Sequence, residues 1–213
     1  MYIYNPKNML GSLLLLCSSY YVNLNIAKYL EKRFNSVSKS DMIMSFSHSF
    51  LVVWGSLSYL YSSNFTILRM VRLYSIGHLL ADCYYFQYLK DVNKNKHTYI
   101  IHHLLFITSW LVPNYYDKVI YSKLLLSEIS VLPLNLMYYY KQEKNNKLEL
   151  YHAGLTYTLF FIFRIVNFTY HYGIILERGH HILSFLFIPL TGLQYYWFYL
   201  MTRKLMKKIY YPE

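Results

Sequence analysis

The sequence predicts an all-α fold: a polytopic membrane helix bundle of about seven transmembrane helices. The N-terminus is expected on the lumenal or outer side and the C-terminus in the cytosol. Three observations lead there. Of 213 residues, 55% are apolar and 20% aromatic, but only 15% are charged, against about 25% charged in soluble domains. That leaves too few charges to clothe a soluble globule, so the bilayer is the expected solvent. Apolar stretches of roughly 17–25 residues, the length that crosses a membrane as a helix, alternate with short polar connections. Lysine and arginine also segregate between alternate connections.

The same composition excludes disorder. Two cysteines, Cys17 and Cys83, both within apolar runs, exclude a disulfide scaffold and the paired spacings of zinc ribbons or thioredoxin-like motifs. The net charge of +11 raises nucleic acid as a partner. The charges sit in short loops between apolar stretches, where membrane topology explains them, so no nucleic acid is expected.

Taken in order, the expected spans are Met9–Leu30, Met42–Tyr61, Leu73–Leu89, Thr98–Pro113, Val119–Tyr140, Leu150–Tyr170 and Ile182–Met201. The first is interrupted by Asn23, Asn25 and Lys28 and is the weakest by hydropathy. It could be a signal peptide, since Lys7 precedes the run LGSLLLLC. Tyr20 and Tyr21 stand where a cleavage site wants small residues, so an uncleaved helix is expected. The fourth is short enough to be tilted or partly re-entrant. Pro133, within the fifth, frees a carbonyl and predicts a kink. No soluble domain fits between the spans. The chain divides into an N-terminal helix and cytosolic loop (1–41), a helical membrane domain (42–204) and a short cytosolic tail (205–213). No internal repeat, phosphate-binding glycine loop, HExxH or GxSxG occurs.

With seven spans, one side of the membrane receives five cations: Lys7, Arg69, Arg72, Lys118 and Arg178. The other receives thirteen, in four clusters: Lys32, Arg33 and Lys39; Lys90, Lys94 and Lys96; Lys141, Lys144 and Lys147; and Arg203, Lys204, Lys207 and Lys208. The richer side is cytosolic by the positive-inside rule. A wrong span in the middle would mix the two sets, so the split supports the span count as well as the orientation.

Ionisable residues within spans cost a few kcal/mol on insertion scales, so they face a bundle interior or a wet cavity. The candidates are His48 in the second span, His78 and Asp82 in the third, and His102 and His103 in the fourth. Glu128 and Asn135 lie in the fifth, Arg164 and Asn167 in the sixth, Gln194 in the seventh. His78 and Asp82, four apart, share a helix face. Glu128 with Asn135, and Arg164 with Asn167, do the same. At about 1.5 Å per residue, His48, Asp82 and the histidine pair lie roughly 5–12 Å from the cytosolic end, with Glu128 and Arg164 nearer the midplane. This predicts a polar cavity open to the cytosol above a Glu–Arg level. The plainer alternative is that such pairs only tie helices together, at about 0.6 kcal/mol each. Many convergent groups in one small bundle favour the cavity. His97, His180 and His181 are assigned to loops. His152 and His171 fall near span ends. The tyrosine runs, such as Tyr115–Tyr116 and Tyr138 to Tyr140, fit an aromatic belt. Membrane di-iron enzymes need several histidine boxes. The single segment HTYIIHH, His97 to His103, does not supply them, so neither a metal nor any other cofactor is expected.

The ordered set of motifs resembles the TLC domain family. The resemblance runs from about Met42 to Lys204. It is carried by FSHSF around His48, SIGHLLADCYYF around Asp82, and IHHLL at His102 and His103. LLSEISVLPLN follows with Glu128, Ser130, Pro133 and Asn135, then FIFRIVNF with Arg164 and LQYYWF with Trp197. Ceramide synthases within that family join an acyl group from acyl-CoA to a sphingoid base, and place an LHD-x-x-D pattern on the span after the histidine pair. Here LLSEIS stands in that region, which is similar to the small TLC-domain branch associated with membrane lipid composition. The resemblance therefore implies a multi-pass protein that binds lipid or acyl chains and influences lipid homeostasis. His48, His78, Asp82, His103, Glu128, Asn135, Arg164, Asn167, Gln194 and Trp197 would line its cavity. The rival reading is an acyl-CoA-dependent acyltransferase using His102 or His103 with Asp82 and Glu128. A third is a cargo receptor of the early secretory pathway, although Lys207–Lys208 stands too far from the end for a good dilysine signal. Membrane lipids are the expected partners, with acyl-CoA if the protein is an enzyme. An endoplasmic reticulum or related endomembrane location is expected over the plasma membrane.

Overall fold

The computed structural model describes residues 6–90, 96–111, 118–179 and 181–210. Within them every regular element is helical, in seven continuous rods. The first, α1, is Pro6–Phe34 and α2 is Val37–Ser62. Residues 65–89 form α3, which is α-helical over Phe65–Asp82 and π-helical over Cys83–Leu89. The fourth, α4, is Lys96–Leu111. In α5, Lys118–Gln142, a 3₁₀ segment Leu126–Ser130 separates two α-helical stretches. In α6, Asn146–Glu177, a π-helical segment Phe161–Val166 does so. The last, α7, is His181–Tyr210. Four of these, Leu10–Phe34, Val37–Ser62, Lys118–Gln142 and Asn146–Glu177, are long and apolar enough to cross a membrane by length and composition.

The rods extend beyond the apolar stretches because their ends are capped chemically. The Ser36 hydroxyl accepts from the Lys39 amide at 3.3 Å and starts α2. The Asn64 side chain accepts from Thr66 N at 3.0 Å and starts α3. Asn145 does the same for α6 through Leu148 N at 3.2 Å. The residues just before these caps, Asn35, Ser63 and Lys144, take left-handed φ values of 48°, 54° and 55°, which turn the chain within two or three residues. Hydropathy reports depth in the bilayer, whereas caps report where a helix begins. The expected placements of Arg69, Arg72 and His97 in loops are therefore corrected. Arg69 and Arg72 lie within α3, Arg69 on the Ser12 hydroxyl of α1, and His97 lies in the first turn of α4. His181 likewise begins α7. His180, Tyr115, Tyr116 and the end of the expected fourth span lie outside the described residues. Just upstream of Pro133, whose nitrogen has no hydrogen to donate, the helix tightens into the 3₁₀ segment.

The chain forms two compact units, Met1–Ile107 and Thr108–Glu213. In the first, α1, α2 and α3 pack on one another through small residues. A Cβ added at Gly77 would stand 2.5 Å from the Ser19 oxygen and 2.8 Å from the Tyr20 backbone nitrogen, so α1 and α3 touch almost backbone to backbone. The Ser19 hydroxyl donates to the Tyr74 carbonyl at 3.0 Å across that contact. The Ser40 hydroxyl donates to the Ala27 carbonyl at 2.9 Å and ties α2 to α1. In the second unit, Ile175 and Leu190 are wholly buried and Phe168 stacks on Phe187 at 5.9 Å, joining α6 to α7. The outward side chains include Leu13, Leu14, Trp54, Ile162, Phe185 and Ile188. On a soluble surface such apolar cover would be a liability; against acyl chains it is the expected skin of a membrane protein.

Gly77→Ala is expected to cost about 1–3 kcal/mol through overpacking, because the obstructing atoms include backbone. Gly154→Ala, with nothing within 4 Å of its new methyl, should be neutral or stabilising by up to ~1 kcal/mol. Thermal unfolding of both variants in detergent checks the contrast.

Candidate functional site

The ionisable residues of the spans collect in two places, one in each unit. In the first unit, His78 and Asp82 stand one turn apart on α3. Asp82 is the last α-helical residue before the π segment, where the ladder lengthens by one residue; Lys90 N bonds to Tyr85 O at 3.0 Å. From α4, His103 turns its Nδ1 to Asp82 Oδ2 at 3.1 Å, and the Cys83 sulfur lies 3.5 Å from the same nitrogen. From α2, the His48 ring lies flat on His78, 4.0 Å between centroids and 8° between planes. Both rings are buried, as is Asn23 of α1, whose side-chain oxygen meets His78 Nδ1 at 3.2 Å. His48 Nε2 is buried and has no hydrogen-bond partner among the described residues. His102 is buried as well, but its ring packs against Phe106 at 5.6 Å, and it is His103 that meets the carboxylate. Successive residues on a helix point about 100° apart, so only one member of the pair reaches Asp82.

In the second unit, Arg164 sits inside the π segment of α6 and is almost wholly buried. Its Nη2 lies 3.2 Å from Glu128 Oε1, within the 3₁₀ segment of α5. Its Nε donates to the Ser130 hydroxyl at 3.0 Å, with the Ser127 carbonyl at 3.3 Å, and its Nη1 donates to Gln194 Oε1 of α7 at 3.2 Å. The guanidinium also lies over the Phe160 ring at 5.3 Å. Fully pairing a buried guanidinium offsets the several kcal/mol that its dehydration costs. Asn167 does not join this group; it donates to the Lys123 carbonyl at 2.9 Å and ties α6 to α5. Asn135 is buried on α5, and Trp197 is half-buried on α7. His152 and His171, near span ends, stack on Tyr140 at 5.3 Å and meet the Asn167 carbonyl at 2.8 Å respectively.

Three departures from α-helical geometry thus fall at the three charged groups Asp82, Glu128 and Arg164. A π or 3₁₀ turn shifts the phase of the residues after it, which re-aims side chains that a regular helix would spread around its circumference. Sequence periodicity carries no direct signal for such a shift. Four further members were also missed as site residues: Asn23, Cys83, Gln87, whose side chain bonds Asp82, and Asp41, whose carboxylate acts on Asp82 and His103. Asn23 reads as a flaw in the first span, yet it is a buried partner of the site. Among the described residues no group of three or more His, Cys, Asp or Glu side chains is arranged to hold a metal ion.

A family model of the TLC domain matches residues 36–203. The chain belongs to the TLC-domain family. No curated protein and no solved structure matches it. The TLC domain holds both polar groups except for Asn23, which comes from α1, before the first matched residue.

Arg164→Met should leave Glu128 without its buried counter-charge and cost about 3–5 kcal/mol, as removal of one partner of a buried pair does. Adding Glu128→Leu removes the stranded charge, so the double variant should be more stable than Arg164→Met alone. Chemical or thermal unfolding in detergent measures the difference; equal stability of the single and double variants would contradict the pairing.

Proposed function

We propose that this TLC-domain protein binds a lipid or acyl chain within its membrane helices and influences membrane lipid homeostasis. One observation carries the reading: a cluster of polar side chains on apolar membrane helices, His48, His78, Asp82 and His103, holding a buried imidazole nitrogen with no hydrogen-bond partner among the described residues. Helix association alone would be served by satisfied pairs. An unsatisfied polar atom at membrane depth is destabilising, and it is kept where something else supplies the partner. The segment Leu124–Asn135 supports the small TLC-domain branch over the ceramide synthases. It lacks the LHD-x-x-D acids, and its one acid, Glu128, is engaged by Arg164.

A second reading is favoured by the His103–Asp82 pair at 3.1 Å. A carboxylate on an imidazole nitrogen orients the ring and stabilises the imidazolium that forms when the ring takes up a proton during general-base catalysis. On this reading the protein transfers an acyl group from acyl-CoA to a lipid acceptor, with His103 moving the proton and Asp82 orienting it. His102 is the poorer candidate because it packs on Phe106.

Purified protein in detergent, given labelled acyl-CoA and a panel of sphingoid and lysolipid acceptors, separates the two. The binding reading expects no turnover, together with retention of a photoreactive acyl lipid that weakens modestly in His103→Ala. Turnover by the wild type that disappears in His103→Ala establishes the acyltransferase instead.

We also propose a lumenal N-terminus and a cytosolic C-terminus, supported by the thirteen-to-five distribution of cations, and, from the family alone, an endoplasmic reticulum or related endomembrane location. Glycosylation-acceptor tags test the orientation: the N-terminal tag should be modified and the C-terminal tag left bare. The reverse pattern would overturn it.

A further inference from the structure

We infer that α1, which lies outside the matched TLC domain, completes the histidine site. Asn23 acts as a positioning residue that holds His78 as its Nδ1–H tautomer, so that Nε2 becomes an acceptor for the hydroxyl group of a neutral lipid. The inference rests on the lipid-binding reading above and names the headgroup chemistry that the site selects.

The argument starts with the orientation of one amide. Asn23 is wholly buried, and its Nδ2 donates to the Ser19 carbonyl, one turn back on α1, at 2.8 Å. The Ser19 hydroxyl lies 3.4 Å from the same nitrogen. Turning the amide over would set its oxygen against a carbonyl oxygen, two acceptors facing each other with no hydrogen between them. The local network therefore assigns Oδ1 to His78. An amide oxygen only accepts, so the His78 Nδ1 facing it at 3.2 Å carries the hydrogen. A second cation here would be uncompensated, because Asp82 is engaged by His103, the other carboxylate of the cluster, Asp41, acts on Asp82 and His103 and not on His78, and the ring stacked on His78 is another imidazole. His78 is then a neutral ring with its lone pair on Nε2.

The register of α1 is set to deliver this contact. Gly77, the residue before His78, lets the α1 backbone approach, and Ser19 locks the crossing through Tyr74. Asn23, one turn along from Ser19, falls opposite His78 as a result. The unsatisfied Nε2 of His48, on the ring stacked against His78, is an independent sign that a group from outside the protein is wanted here.

The chemistry of that group follows. A phosphate or carboxylate brings only acceptors and would meet an acceptor. An ammonium wants a free carboxylate beside His78, whereas Asp82 is engaged by His103 and Asp41 acts on the Asp82–His103 pair and not on His78. A neutral hydroxyl donates one hydrogen to a ring nitrogen and leaves its acyl chains among the apolar helices. Diacylglycerol is a suitable probe of this class, and its O-methyl ether is the matched lipid without the donor.

The test uses the full chain in nanodiscs. With ¹⁵N-labelled histidine and the His78 signals assigned through His78→Gln, the wild type should show a protonated Nδ1 and an unprotonated Nε2. Asn23→Leu should lose that preference. Asn25→Leu, on the exposed side of the same helix, should keep it. In displacement of a photoreactive acyl lipid, the ether should compete about five- to tenfold less well than diacylglycerol, the loss expected for one hydrogen bond, and Asn23→Leu should erase that gap. A protonated Nε2 on His78 in the wild type overturns the inference without any variant having to fold. Equal competition by the alcohol and the ether overturns the headgroup choice while lipid binding stands. Failure of the photoreactive lipid to label the wild type at all removes the lipid-binding reading, and this inference with it.

Discussion

A charged side chain at membrane depth has to find its partner inside the protein, because lipid offers none. The rest of this structure follows from that constraint. Asp82 is answered by His103, and Arg164 by Glu128, Ser130 and Gln194. Each of these bonds crosses from one rod to another, so satisfying a charge also settles which rods are neighbours and in what register. Apolar packing cannot do this alone here, since acyl chains are as good a solvent for leucine as another helix is. Small residues at the crossings, Gly77 against Ser19 above all, allow the close approach that the polar contacts need.

The partners could not all have met on regular helices. The π segment after Asp82, the 3₁₀ segment around Glu128 and the π segment around Arg164 each change the phase of a rod at the residue that carries the charge. Departures of this kind weaken some backbone hydrogen bonds and persist where side-chain contacts compensate. Arg164 makes four such contacts to polar atoms, which is compensation of the right kind.

The two polar groups differ in a way that bears on function. Around Arg164 the guanidinium is bonded on several sides, as a structural tie requires. Around His48 and His78 an imidazole nitrogen is left over, a stack of rings takes the place of a salt bridge, and an asparagine from outside the TLC domain supplies orientation. Spare hydrogen-bonding capacity occurs in both, since Gln194 Nε2 beside Arg164 is also buried without a hydrogen-bond partner among the described residues, but only in the second group does it fall on a ring nitrogen that can accept as well as donate. The proposed lipid recognition is assigned to the histidine group, where the Asp82–His103 pair would also act if the protein transfers acyl groups.

How much of this was legible in the sequence can be judged residue by residue. Seven apolar stretches yielded seven rods among the described residues, because the energy of placing apolar or charged groups in lipid depends on composition over about twenty residues. The order of the motifs from His48 to Trp197 was enough for the family, since it is carried by the one-dimensional chain. The candidates His48, His78, Asp82, His103, Glu128, Arg164 and Gln194 were visible as polar residues where polarity is costly. Their grouping was not. Whether Asp82 would meet His103 or His102, or whether Asn167 would join Arg164 or turn to the Lys123 carbonyl, depends on helix phase and crossing. Asn23 shows the limit most clearly. By hydropathy it weakens the first span, and by position it lies outside the family domain. Only the docking of α1 against Gly77 makes it a partner of His78. Composition and periodicity are properties of one segment at a time, whereas a hydrogen bond between two rods depends on the rotation and depth of both, and those are decided by tertiary packing.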